Sequence, residues 1–267
     1  MTMIVVQLSD PHVVQQDTLL KGRVDTNGLL AQAVRRVLRL RPLPDRVWIT
    51  GDLVATGRPE EYDALRALIS PLTMPLHLLP GNHDDRDLLR AMFPDHDYFP
   101  RQGKFLHYVI ETEPLRMIGL DTVIPGAVGG EMCVERLDWL EARLAEAPGR
   151  PTVIFMHHPP FELGLPIDSS LCRNGEALEK LVSRHPNIQR IGIGHAHRCI
   201  QRVWGGTLAC VCPSTAHQFL LEFEETEAIR YGLEPPGFLL HHWRGRHPPA
   251  THFIPSGEFP GEDTASV

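Results

Sequence analysis

Six strand-length runs of aliphatic and β-branched residues recur along this chain, with helical patterns between them. The runs are Met3–Leu8, Arg46–Thr50, Leu76–Leu79, Arg116–Leu120, Thr152–Met156 and Ile188–Ile193. Each is apolar almost throughout, as expected of a strand covered on both faces. Leu29, Leu30, Ala33, Val34, Val37 and Leu38 repeat at helical spacing, and Arg35, Arg36, Arg39 and Arg41 read as a solvated face. Pro59-Glu60-Glu61 opens a second helix, with proline in the first turn and acidic side chains at the positive end of the dipole. Leu137, Leu140 and Leu144 mark a third helix. Leu178, Leu181 and Val182 mark a fourth, with Asn174 expected as its N-cap. Strand alternating with helix restricts the chain to a layered α/β domain through about residue 200.

The pattern changes after that point. Thr207–Val211, Phe219–Phe223 and Gly237–His241 look like strands, and no amphipathic helix accompanies them. The expected division is an α/β domain over 1–200, closing strands with a small cap or oligomerisation element over 201–254, and a frayed Pro/Gly/acidic tail over 255–267. Composition narrows the field further. With 26 Lys+Arg against 33 Asp+Glu, the net charge of −7 gives no general attraction to nucleic acid or anionic lipid. No apolar stretch approaches membrane-spanning length, and Met-Thr-Met-Ile-Val-Val-Gln does not read as a signal peptide. Five cysteines without a CxxC pair make a poor disulfide framework. A soluble cytoplasmic protein is expected. The unusual number is 15 histidines.

Five of the apolar runs end in potential ligands. Met3–Leu8 leads into Ser9-Asp10-Pro11-His12, Arg46–Thr50 into Gly51-Asp52, and Leu76–Leu79 into Gly81-Asn82-His83-Asp84. Thr152–Met156 leads into His157-His158-Pro159-Pro160, and Ile188–Ile193 into Gly194-His195-Ala196-His197. In layered α/β folds the strand carboxyl ends open onto the ligand-binding edge. Turn preference accounts for Asp, Asn and Gly at such places, but not for histidine at three of the five ends. His195 and His197, at i and i+2, are expected to point to the same side if the segment is extended. Imidazole, carboxylate and amide oxygen without cysteine suit first-row transition ions such as iron, manganese, zinc or cobalt. Asp10, His12, Asp52, Asn82, His157, His195 and His197 exceed the donors one ion needs, so two ions sharing a carboxylate are expected. Two divalent ions, two aspartates and one hydroxide would leave a formal charge of +1, which attracts a phosphodiester.

The succession Asp10-x-His12, Gly51-Asp52, Gly81-Asn82-His83-Asp84, His157 and Gly194-His195-x-His197 resembles the calcineurin-like metallophosphoesterase family. Within it, Gly57-Arg58-Pro59-Glu60-Glu61-Tyr62, Ile154–Pro160 and Ser214-Thr215-Ala216-His217-Gln218 are similar to bacterial glycerophosphodiesterases and class III cyclic-nucleotide phosphodiesterases. The resemblance implies a four-layer α/β/β/α sandwich and a C-terminal dimerisation cap. It also implies one ion on Asp10, His12, Asp52 and His197, and a second on Asp52, Asn82, His157 and His195. The sequence departs from the protein-phosphatase branch: Leu53-Val54-Ala55-Thr56-Gly57 follows Gly51-Asp52, and Asp84 stands where that branch has Glu.

The expected reaction is in-line attack of a metal-held hydroxide on a small phosphodiester, glycerophosphodiesters first, without a phosphoenzyme. His83 is the candidate catalytic residue, donating a hydrogen bond or a proton; the alternative is that it only orients Asp84 or the loop. Asn82, His83 and His217 are candidates for substrate contact, and His158 is expected to support a ligand rather than be one. Asp25-Thr26-Asn27 fits helix capping as well as the site mouth. His241, His242, His247 and His252 read as exposed or interface residues. A 3′,5′-cyclic nucleotide phosphodiesterase is the second reading, although no aromatic residue sits beside a motif to clamp a base. A non-catalytic scaffold is the third. The partners expected are a small-molecule phosphodiester and other copies of the chain, as a homodimer or higher homo-oligomer.

Overall fold

A computed structural model describes residues 2–223, 229–245 and 247–259. In chain order the elements are β1 (Thr2–Leu8), α1 (Thr26–Leu38), β2 (Arg46–Thr50), α2 (Pro59–Ile69), β3 (Leu76–Leu79), α3 (Arg86–Met92), β4 (Tyr108–Glu111), β5 (Arg116–Leu120) and β6 (Gly130–Glu131). There follow α4 (Val134–Ala145), β7 (Thr152–Met156), a 3-10 turn (Pro166–Ser170), β8 (Cys172–Arg173), α5 (Gly175–Ser183) and β9 (Ile188–Ile193). The remainder is β10 (Ile200–Trp204), β11 (Thr207–Val211), β12 (Gln218–Phe219), β13 (Tyr231–Gly232), β14 (Gly237–Arg244) and β15 (His247–Pro255).

Two sheets lie face to face. One has the order β15-β14-β1-β2-β3, the other β10-β11-β9-β7-β5-β4. In the first, β1, β2 and β3 are parallel while β14 and β15 run antiparallel. In the second, β5, β7, β9 and β11 are parallel, with antiparallel strands at both edges. Alternation along β7 separates the layers. Val153 and Phe155 pack with β1–β3 and helices α1–α3, whereas Ile154 and Met156 pack with α4 and α5. This gives the α/β/β/α order. Trp48 of β2 stacks on Phe155 of β7 (4.4 Å) and on Tyr108 of β4 (5.4 Å) across the interior.

A buried polar bridge also joins the sheets behind the strand ends. Gln7 donates from Nε2 to Thr50 Oγ1 and to the Ile193 carbonyl, each at 3.0 Å, and His241 Nε2 lies 3.1 Å from Gln7 Oε1. These buried groups are hydrogen-bonded, so their desolvation is compensated.

Several local expectations need correction. Asn174 precedes α5 in left-handed geometry (φ 62°) but makes no side-chain cap, because its Nδ2 donates to the Met132 carbonyl at 3.2 Å. The strand expected over Phe219–Phe223 is only Gln218–Phe219, since its partner β13 offers two residues. Asp25 caps α1 by accepting from Gly28 N–H at 2.8 Å, and Asn27 clasps both backbone polar groups of Val14. Of the expected tail, Pro255 ends β15 and Glu258 pairs with Arg39 at 2.6 Å; residues 260–267 lie outside the described residues. No described helix is long and apolar enough to cross a membrane.

Candidate metal centre

The five strand ends converge at one edge of the sandwich. Asp10 and His12 follow β1, Asp52 follows β2 and Asn82 follows β3. His157 follows β7, and His195 and His197 follow β9. The first sheet thus delivers four donors and the second three. To turn inward so soon after a strand, five of these residues adopt left-handed backbone: Asp10 (φ 51°), His12 (45°), Asp52 (48°), His195 (69°) and His197 (48°). Each costs about 1–2 kcal/mol for an L-residue, and such strain concentrates at functional sites.

This geometry corrects the expectation for His195 and His197. The segment is not extended, and the Ala196 N–H donates to the Gly194 carbonyl at 2.8 Å. The rings therefore serve different groups. His197 Nε2 lies 3.0 Å from His12 Nε2 and 3.5 Å from Asp10 Oδ1, whereas His195 packs beside His157 with ring centroids 5.1 Å apart.

Asp52 stands between the two groups. Its Oδ2 is 3.6 Å from His12 Nε2, and its Oδ1 is 3.4 Å from His157 Nε2. One donor atom from each of Asp10, His12, Asp52 and His197 lies within 4.8 Å of the others. On the other side, Asn82 Oδ1 is 3.2 Å from His157 Nε2. The structure thus brings all seven sequence-derived candidates together.

Backbone and hydroxyl groups fix which ring nitrogen faces the centre. His197 donates from Nδ1 to the His217 carbonyl and His157 from Nδ1 to the Thr50 carbonyl, both at 2.8 Å, which leaves each Nε2 inward. His195 Nε2 is 3.2 Å from Ser170 Oγ, which leaves Nδ1. Both ring nitrogens of His158 are taken, Nδ1 by the Thr122 hydroxyl at 2.7 Å and Nε2 by the Val128 carbonyl at 3.0 Å. His158 therefore supports the loop beneath His157.

Electrostatics follow from burial. Burial alone would raise the Asp10 and Asp52 carboxyls. The neighbouring imidazoles outweigh it, chiefly His197 for Asp10 and His157 for Asp52, and hold both carboxyls below the usual range. Burial pushes His12 well down and His195 down to about 3, leaving them neutral as ligands require. Burial opposes a proton on His157 too, but Asp52 and Asp10 raise it to about 9. Buried carboxylates demand positive compensation. Two carboxylates, an amide oxygen and four oriented imidazoles are a donor set that fits two transition ions.

Gly51 and Gly81 permit this crowding. A Cβ on Gly51 (φ 93°) would overlap the His157 ring, and one on Gly81 would overlap the Asp52 backbone nitrogen and Oδ1. Asp84 fastens the two loops together. It accepts from Leu53 N–H at 3.0 Å, Gly81 N–H at 2.8 Å and Tyr62 Oη–H at 3.2 Å. Burial, followed by the nearby Asp52 charge, pushes its carboxyl up to about 7.

A cavity of about 220 Å³ opens over the centre. His83 lines it, donating from Nδ1 to the Ala55 carbonyl at 2.6 Å and placing Nε2 4.0 Å from Asp52 Oδ2. The ring is held by Ala55 and not by Asp84. His217 also lines the cavity, with a buried Nδ1 that has no partner among the described residues. Phe219, Tyr231 and Lys21 were not among the sequence candidates and line it too. Phe219 stacks on His197 (4.3 Å, 7°) and Tyr231 packs edge-on to His217 (5.0 Å). Phe219 was findable, since it follows His217 at i+2; Tyr231 arrives from the opposite arm of the hairpin and carries no local signal. His241, His242, His247 and His252 form no metal-binding group among the described residues, and His241, expected to be exposed or at an interface, is instead buried against Gln7.

Comparison with known proteins identifies the family. The calcineurin-like phosphoesterase model matches residues 3–199. The chain is 33% identical over 261 residues to a probable glycerophosphodiester phosphodiesterase GpdQ of Arcobacter nitrofigilis, covering 97% of this chain and 95% of the relative. It is 36% identical over 244 residues to the glycerophosphodiester phosphodiesterase GpdQ of Enterobacter lignolyticus, covering 90% and 86%. It is 32% identical over 219 residues to the 3′,5′-cyclic adenosine monophosphate phosphodiesterase CpdA of Pseudomonas aeruginosa, covering 82% and 78%. A dimetal phosphatase from Danio rerio shares the fold, with a TM-score of 0.62 at 16% identity over 93% of this chain and 98% of that one. With the family model spanning the whole run from Asp10 to His197, the chain belongs to the calcineurin-like phosphoesterase family.

Proposed function

We propose that this protein hydrolyses small phosphodiesters at a two-ion centre, with glycerophosphodiesters its main substrates. The observation that carries the reading is the position of Asp52, whose two carboxylate oxygens face two separate donor groups. Asp10, His12, Asp52 and His197 would hold one ion. Asp52, Asn82, His157 and His195 would hold the other. Bound there, two divalent ions supply Lewis acidity toward the phosphoryl oxygens and lower the pKa of water to about 7. The chain's own residues do the rest. In its doubly protonated form His83 presents an Nε2–H to the cavity while its Nδ1–H stays on the Ala55 carbonyl, an arrangement suited to donating a hydrogen bond to a phosphoryl oxygen or passing a proton to the departing alcohol. Asn82 uses Oδ1 toward His157 and has its amide nitrogen left for substrate, and the unpartnered His217 Nδ1 offers a second contact.

The names of the two glycerophosphodiesterase relatives, which match nearly the whole chain, support this choice of substrate. Cyclic nucleotides are the second reading. Phe219 and Tyr231 favour it, because they put aromatic rings beside His197 and His217. Comparing kcat/KM for glycerophosphoglycerol and cyclic AMP on the same ion-loaded preparation separates the two: the first reading expects the glycerol diester to be preferred. Turnover of bis(p-nitrophenyl) phosphate before and after chelation tests the ion requirement, and full activity in stripped protein would refute it. The same reading includes a homodimer through the segment after residue 200, where Val203, Leu221, Phe223 and Leu233 are exposed. Light scattering giving a monomer mass would refute that part.

A further inference from the structure

Lys21 approaches the metal centre from outside the metal-binding motifs. It sits in a tight turn closed by the Leu20–Val24 bridge, where Leu20 N–H donates to the Val24 carbonyl at 2.9 Å and Gly22 N–H to the Leu19 carbonyl at 3.0 Å. Its backbone is left-handed (φ 50°), so the turn fixes where the side chain starts. The side chain lines the same cavity as Asn82, His83 and His217, and its Nζ lies 5.3 Å from the centroid of the Tyr231 ring. Tyr231 in turn packs against His217 (5.0 Å), and His217 lies 5.4 Å from His12. A diester whose phosphate occupied the centre would have one of its alcohol arms in the part of the cavity lined by Tyr231 and Lys21.

Aromatic faces in such a position bind quaternary ammonium groups through the ring quadrupole. Here a resident cation already lies over Tyr231. An incoming ammonium would lose that face and meet a like charge at close range. Two unit charges about 4 Å apart in a wet site repel by about a factor of five in binding.

Resting on the phosphodiesterase reading, we infer that Lys21 is a specificity-determining residue: seated on Tyr231, it selects diesters whose departing alcohol is uncharged or anionic and discriminates against ammonium alcohols such as choline.

The test measures kcat/KM for glycerophosphoglycerol and glycerophosphocholine on ion-loaded wild-type, Lys21→Met and Lys21→Arg proteins. Wild type should favour the glycerol diester. Lys21→Met should shrink that preference by about five-fold or more, mainly through a lower KM for the choline diester, and Lys21→Arg should restore it. An unchanged ratio in Lys21→Met, or equal loss of the preference in both variants, would overturn the inference while leaving the phosphodiesterase reading intact. Failure of the wild-type protein to turn over either diester or bis(p-nitrophenyl) phosphate would overturn both.

Discussion

The His83 imidazole donates from Nδ1 to the carbonyl oxygen of Ala55 at 2.6 Å, which turns its Nε2 toward the cavity. A ring anchored this way is available to substrate without holding an ion. His83→Ala should therefore lower kcat about 100-fold, the lower end of general acid–base contributions, while metal content by elemental analysis stays at the wild-type level. Loss of metal in this variant would reassign His83 to a structural role.

Asn82 contributes to one donor group and is absent from the other. Asn82→Ala should weaken the ion on the His157 and His195 side and spare the ion on the Asp10 and His197 side. Titration with a divalent transition ion should then show one tight site where wild type shows two. Equal weakening of both would contradict the division of ligands at Asp52.

Gly81 has no room for a side chain, because its Cβ would enter the space of the Asp52 backbone nitrogen and Oδ1. Overpacking of this kind costs about 1–3 kcal/mol. Gly81→Ala should lower the urea midpoint by a corresponding amount and reduce metal occupancy further than stability alone would. An alanine variant with normal occupancy would mean that the loop has slack.

Three histidines away from the centre make stability depend on pH. Burial pushes His77 down to about 3, His107 down to about 4 and His241 down to about 3, with Arg46 adding to the effect at His77 and Arg190 at His241. The folded protein refuses protons that the unfolded chain accepts below about pH 6.5. Their contribution is therefore complete above that value and is lost as pH falls toward 4, at up to about 1.4 kcal/mol per pH unit for each group. Urea midpoints of ion-loaded protein between pH 7 and 5 should fall accordingly. His241→Gln should show a shallower slope than wild type, and parallel slopes would remove His241 from the account.

The strand ends could be read from the sequence because the strands leading to them are buried on both faces, which writes them as unbroken apolar runs. Histidine after three of them has no explanation in turn chemistry, so the centre could be read as well. What could not be read has physical causes. β10 reads Ile-Gln-Arg-Val-Trp with exposed residues at its middle, and β15 carries Pro248 and Pro249, which an edge strand tolerates and a sequence pattern scores as loop. α3 has only seven residues, too few to show helical periodicity. Tyr231 reaches the cavity through hairpin pairing, and Lys21 through a turn whose closure depends on Leu20 and Val24 meeting. Both are long-range or conformational facts with no local spelling.

The buried bridge from Gln7 to Thr50 and to the Ile193 carbonyl spans the seam between the sheets directly behind the candidate ligands. Neither half of the sandwich owns a complete coordination set, since His157, His195 and His197 come from one and the rest from the other. The full set of seven donors therefore exists only when both halves have docked in correct alignment. Cations bound there would act as a rivet through the finished molecule.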